Sequence, residues 1–164
     1  MGIAISTTES SIRSNALRAF ARQPVTHTPA GICLGGSWPL HQEHLSLQDV
    51  TGNDKETARI FADVHERLDA DIIIPGAGAT AFIARALGSD VRFDAKGAPQ
   101  IIHGALEDRP DPDTLDSQQI WRDPAVQYIF ESVSTLAQLN AGKRLILASG
   151  RSAFTIAGQL LGLE

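Results

Sequence analysis

Gly76-Ala-Gly-Ala-Thr-Ala81 follows an apolar strand and opens a helix with the spacing G-x-G-x-x-A. In a dinucleotide-binding unit, such glycines let the backbone approach a pyrophosphate at a helix N-terminus. An acid closing the next strand then holds the ribose. Asp94 stands near that place. Against this role, the intervening helix is about one turn short, Pro75 stiffens the approach, and dinucleotide folds usually open with this unit. A strand-to-helix turn that glycine permits explains the same residues.

His41-Gln-Glu-His44 sets two imidazoles three positions apart beside a carboxylate. On a helix, i and i+3 share a face, and two such rings begin a metal site. The spacing matches neither H-E-x-x-H nor H-x-x-E-H and no third ligand is evident, so a solvated segment near a strand end is the simpler expectation. Cys33 lies in an apolar run without an adjacent base, the setting of a structural thiol. Asp108, Asp111, Asp113 and Asp116 are dispersed by prolines and form no catalytic pair. His27 and His103 read as surface residues, and His65 as partly buried in a helix. Arg151 is the better candidate. It follows the last apolar strand, at the end where an α/β barrel gathers its reacting groups, and its guanidinium can hold a carboxylate or phosphate.

These residues require a frame. Residues 1–11 are rich in Ser and Thr and are expected to be flexible. A helix from Ser11 to Arg22 places Ile12, Ala16, Leu17 and Phe20 on one face, and Pro24 and Pro29 end it and direct the chain into a short first strand, Ala30 to Leu34. Asn53 or Asp54 caps a helix to about Leu68, with Ala58, Phe61, Ala62, His65 and Leu68 inward. Asp71 to Pro75 is a second buried strand, and a helix from Ala81 to Leu87 stops at Gly88. Val91–Phe93 and Gln100–His103 form a ribbon, Glu107 to Asp116 an exposed connection, and Pro124 to Leu139 a long amphipathic helix. Leu145 to Ala148 reads as a strand covered on both faces. Phe154, Ile156, Ala157, Leu160 and Leu161 then recur at helical spacing. The order predicts an α/β fold with right-handed crossovers. No strand succeeds the last helix, so a larger barrel or a separate partner is expected to cover the open edge.

The 164 residues suffice for one domain with a core. Net charge of −5 and 5% aromatic residues argue against a nucleic-acid partner. A single cysteine excludes an internal disulfide and a four-cysteine zinc site and fits a cytoplasmic setting. No apolar run approaches the roughly 18 residues of a membrane span.

Taken together, four segments resemble the uroporphyrinogen decarboxylase and cobalamin-dependent methyltransferase superfamily. Arg18-Ala-Phe-Ala-Arg-Gln-Pro-Val-Thr-His-Thr-Pro29 is similar to its opening helix and Pro-Val-Asp-Arg-x-Pro turn. Asp69-Ala-Asp-Ile-Ile-Ile74 resembles its second strand, and Ala86-Leu-Gly-Ser-Asp-Val-Arg-Phe93 its helix-to-ribbon passage. Ser152-Ala-Phe-Thr-Ile-Ala-Gly-Gln-Leu-Leu-Gly162 resembles the Gly-Pro-Phe-Thr-Leu-Ala turn and the helix that follows. The resemblance implies a partial TIM-type (β/α)8 barrel, first half only, over residues 12–164, because a closed barrel needs roughly 200 residues or more.

Within that superfamily, the decarboxylase branch carries an Arg-Gln-Ala-Gly-Arg-Tyr loop and an aspartate after the second strand. Here those places read Leu34-Gly-Gly-Ser-Trp-Pro39 and Pro75-Gly-Ala-Gly-Ala-Thr80, with neither arginine nor acid, and Gln159 stands where a tyrosine is expected. The resemblance therefore favours the methyltransferase branch, which moves a methyl group between a corrinoid and a small thiol-type acceptor. It implies pocket walls at Trp38, His41, Gly76, Thr80, Arg151 and Ser152. No metal ligand or cofactor is expected on this chain alone. The zinc and corrinoid of a full-length relative would need the C-terminal half, with a corrinoid protein as a possible partner. A divergent decarboxylase and a catalytically silent fragment or assembly partner are the alternatives.

Overall fold

The computed structural model describes residues 11–32, 37–76, 79–93, 99–148, 150 and 152–162, the side chains of 79 and 80 aside. Helix α1 (Ile12–Phe20) is capped by the Ser11 hydroxyl, which accepts the Ser14 N–H. It buries Asn15 and Ala16, while Phe20, expected on the inward face, is exposed. The first predicted strand is present among the described residues as a single parallel bridge, Gly31 to Ile72. Two short helices follow, α2 (Ser37–Gln42) and α3 (Leu47–Val50), the latter closed by a reciprocal capping box between Ser46 and Asp49.

Helix α4 (Asp54–Arg67) begins at Asn53, whose side chain accepts the Glu56 N–H, and packs Ala58, Phe61, Val64 and His65 into the core. Leu68, predicted inward, is 45% exposed. It falls at the C-cap, where the helix ends and its face no longer governs the side chain. Strand β1 (Ile72–Ile73) follows, then α5 (Ala79–Ala86), two residues earlier than predicted, and Gly88 ends it at φ +102°. The ribbon is an antiparallel pair, β2 (Asp90–Arg92) and β3 (Gln100–His103). The acidic connection contains a 3-10 turn, Pro112–Thr114, and runs into a helix that the sequence reading missed, α6 (Gln118–Arg122).

Helix α7 (Pro124–Asn140) starts with proline at its first position and with Asp123 accepting from two backbone N–H groups. Its apolar side meets α4, and the two helices build most of the core through Phe61, Val64, Val126, Tyr128 and Leu136. Strand β4 (Leu145–Ile146) then pairs parallel with β1, Ile72 opposite Leu145 and Ile73 opposite Ile146. It is half-buried rather than covered on both faces. Helix α8 (Ala153–Leu160) is amphipathic in sequence, yet only Leu160 is buried, and Phe154 is 88% exposed. The physical reason is shared: along β4 and α8, no further strand or helix of the described chain lies outside them.

The ribbon and α8 meet closely. Leu106 N–H donates to the Leu160 carbonyl at 2.7 Å, and a Cβ on Gly104 would collide with that carbonyl. Close backbone approach therefore requires glycine at position 104.

Candidate functional site

The predicted pocket residues occupy three places. Gly76 stands just beyond β1 and lines a small, mostly apolar hollow between α4 and α7, with Pro75, Thr57, Tyr128, Ser132 and Leu136 among its walls. Trp38 is partly buried against the core, and His41 is half-buried in α2. Ser152 caps α8, its hydroxyl accepting the Thr155 N–H at 3.3 Å. Arg151 and the side chain of Thr80 lie outside the described residues, as do Cys33, Asp94 and part of the glycine-rich turn.

The His41–His44 pair is not on one helical face. Helix α2 ends at Gln42, and His44 takes a left-handed backbone, φ +58°. Among the described residues no group of three His, Cys, Asp or Glu side chains is placed to hold a metal ion.

A polar network of residues far apart in sequence lies beneath β1. Asp71, in the turn that enters the strand, is nearly enclosed. One carboxylate oxygen accepts the His27 Nε2–H at 2.6 Å, and the other accepts the Ala30 N–H at 2.8 Å. Buried Asn15 of α1 donates to the His27 carbonyl and accepts the Thr26 N–H, so α1, the loop after it and β1 are pinned together. The His27 ring is about half exposed, as a surface residue, but its bond reaches 44 positions along the chain. Asp71 lies at the N-terminal end of β1, where its bonds tie the strand to the loop before it.

Two buried groups give acid sensitivity. Burial opposes ionisation of Asp71, but the Ala30 N–H and the His27 ring outweigh it and hold its carboxyl below 3.8. Burial lowers His65 below 6.5, assisted by Arg144 and opposed by its bond to the Phe61 carbonyl. In both cases the unfolded chain takes up a proton before the folded one does. Stability is therefore full above pH 6.5 and falls on acidification, first through His65 and then, below pH 3.8, through Asp71. We expect Asp71→Asn to flatten the lower limb and to cost about 1.5 kcal/mol at neutral pH, through loss of a charge-assisted bond. Urea unfolding at a series of pH values reads both, and an unchanged lower limb in the variant would refute the assignment.

Parallel strands joined by helical crossovers define a class, the α/β proteins. The chain belongs to a particular family within it, since the model of the uroporphyrinogen decarboxylase (URO-D) family matches residues 12–164. No curated protein matches the chain. Among solved structures it is similar to a methyltransferase from Methanosarcina mazei, with a TM-score of 0.77 at 14% identity. The match covers 94% of this chain and 46% of that one, so the chain spans less than half the length of its structural neighbour. Among the described residues no helix is long and apolar enough to cross a membrane.

Proposed function

We propose that this chain is the N-terminal part of a methyltransferase-like barrel of the URO-D family, which transfers a methyl group between a corrinoid and a small thiol-type acceptor when the remainder of the barrel is supplied. The observation that carries the reading is the fold match to a methyltransferase over nearly the whole chain. The departures from the decarboxylase pattern support it: no arginine in residues 34–39 and no acid in residues 75–80. Without a carboxylate there, developing positive charge on a pyrrole substrate lacks its partner.

In this reading Trp38, His41, Gly76, Thr80, Arg151 and Ser152 contribute walls of the pocket, and Arg151 orients an anionic group of cofactor or acceptor. No chemical step is assigned to a metal on this chain. The exposed face of α8 and the outer edge of β4 are the surfaces on which the remaining strands and helices pack.

The isolated chain should self-associate through that apolar surface and show no methyl transfer. Joined to a C-terminal barrel half of the family that carries the metal ligands, it should transfer methyl from methylcobalamin to a thiol without decarboxylating uroporphyrinogen. Size-exclusion chromatography and a paired assay check both statements. Decarboxylation by the joined protein would overturn the proposal in favour of the family's other chemistry, and a monodisperse, cooperatively melting monomer would overturn the half-barrel.

A further inference from the structure

Helix α7 is held on two sides, and its contacts fix which residues face each. Toward α4, the Tyr128 hydroxyl meets that of Thr57, and the Thr135 hydroxyl donates to Asp54 at 2.6 Å. Toward the strands, Ile129 and Leu136 share a hollow with Pro75 and Gly76, just beyond β1. At about 100° per residue, Phe130 lies roughly 160° round the helix from Tyr128 and about 100° from Ile129. It therefore stands on the flank away from α4. Phe130 is half exposed there, and the equally exposed Trp121 of α6 stacks on it at 5.8 Å between centroids. Trp121 is tied in place, since the Gln127 amide donates to its carbonyl at 2.6 Å.

In a ring of helices around a parallel barrel, each helix has a neighbour on either side, one from each adjoining βα unit. Helix α7 crosses from β1 to β4, and α4, which crosses from the first strand to β1, is its neighbour on one side. The place on the other side belongs to the crossover that leaves β4. Helix α8 opens that crossover, and it packs on α5 and, through the Leu160 carbonyl, on the end of the ribbon. The solvent side of α7 is polar, with Gln127, Glu131 and Ser134 exposed, so the two rings mark an apolar strip bounded by polar residues. Charge argues against a second copy of the chain as the cover. Residues 107–131 carry seven carboxylates against two arginines, and a symmetric contact at this flank would set two such stretches side by side.

We propose that the flank of α7 marked by Phe130 and Trp121 seats an amphipathic helix of the barrel's remainder, the one that completes the crossover from β4 to the next strand. This rests on the half-barrel reading above and adds to it a second docking surface, on the helix layer, beside the β4 edge and α8. The test uses the chain joined to a C-terminal barrel half of the family, with Trp121 emission obtained by difference from Trp121→Phe. Acrylamide should quench Trp121 roughly threefold less than it quenches free N-acetyltryptophanamide, as packing at the core of an interface excludes the quencher. Phe130→Asp should remove most of that protection and lower the melting temperature of the joined protein. Glu131→Lys, on the solvent side of the same turn, should change neither. Quenching of Trp121 at the level of the free indole, in a joined protein that melts cooperatively, overturns the proposal and leaves the barrel standing. Equal effects of Phe130→Asp and Glu131→Lys overturn it as well. A joined protein without a cooperative melt sinks the barrel reading and the proposal together. Should Phe130→Asp fail to fold, the quenching of the unsubstituted joined protein decides the matter.

Discussion

Phe82→Ala is expected to lower the unfolding free energy by about 3–5 kcal/mol, enough to consume much of a small domain's stability. Phe82 is fully buried, and its ring performs three tasks. It fills the space between α5 and the core, and it meets Phe93 at 5.7 Å between centroids, anchoring the ribbon on α5. It also carries the Arg85 guanidinium 5.2 Å from its centre, while Arg85 reaches Asp123 at the start of α7 at 3.1 Å. Alanine would leave a cavity that neither the ribbon nor α7 can close without giving up contacts of its own. Phe130 is the matched control, since it is 52% exposed, stacks on an exposed Trp121, and should cost less than about 1 kcal/mol on truncation. Urea denaturation of both variants measures the difference. Equal losses would mean that α5 is not part of the cooperative core.

The parts of this fold legible in the sequence are those with a local cause. Asn53 before an amphipathic run gives α4 its start, Asp123-Pro124 gives α7 its start, and Gly88 stops α5 because that position needs a positive φ. The apolar runs at Ile72 and Leu145 identified the two strands that pair in parallel. The extent of burial was less legible. Apolar periodicity records which face a helix was selected to cover, and α8 has such a face without a neighbour among the described residues to cover it. Leu145 and Ile146 are half-buried for the same reason. Long-range polar pairs left little local trace. His27 meets Asp71, and Thr57 meets Tyr128, 44 and 71 positions away. The one available signal for the first pair was the opening signature, where His27 occupies the place of an arginine in Pro-Val-Asp-Arg-x-Pro. Of the candidate site, the sequence correctly brought Gly76 to the end of a strand, while Tyr128, Thr57 and Ser132 looked like ordinary helix residues because their hydroxyls converge only when α4 packs on α7.

Arg144→Met should cost about 2–3 kcal/mol, even though the charge it removes has an exposed partner. The guanidinium is almost wholly buried. Its Nε–H donates to the Ala70 carbonyl at 2.7 Å, and Nη1 reaches Glu66 at 2.9 Å. Glu66 is 57% exposed and also bonded to Lys143, so it loses little when the arginine goes. The Ala70 carbonyl is in the opposite position, because Ala70 is buried and would be left without that donor, a penalty of about 1–3 kcal/mol. Methionine replaces much of the stem's packing but supplies no N–H. The backbone of Arg144 is held independently, since the Asn140 amide donates to its carbonyl and accepts its N–H, so the strand should keep its entry point and lose its grip on β1. That predicts a particular pattern: faster hydrogen exchange at the Leu145 amide, which bonds the Asp71 carbonyl at 3.2 Å, with little change in α7. Lys143→Met, which deletes the exposed arm of the same cluster, should change stability by less than about 0.5 kcal/mol. If the two variants proved equally mild, the bond to Ala70 would not be what fastens β4 to β1, and pairing of the two strands would rest on their ladder and side-chain packing alone.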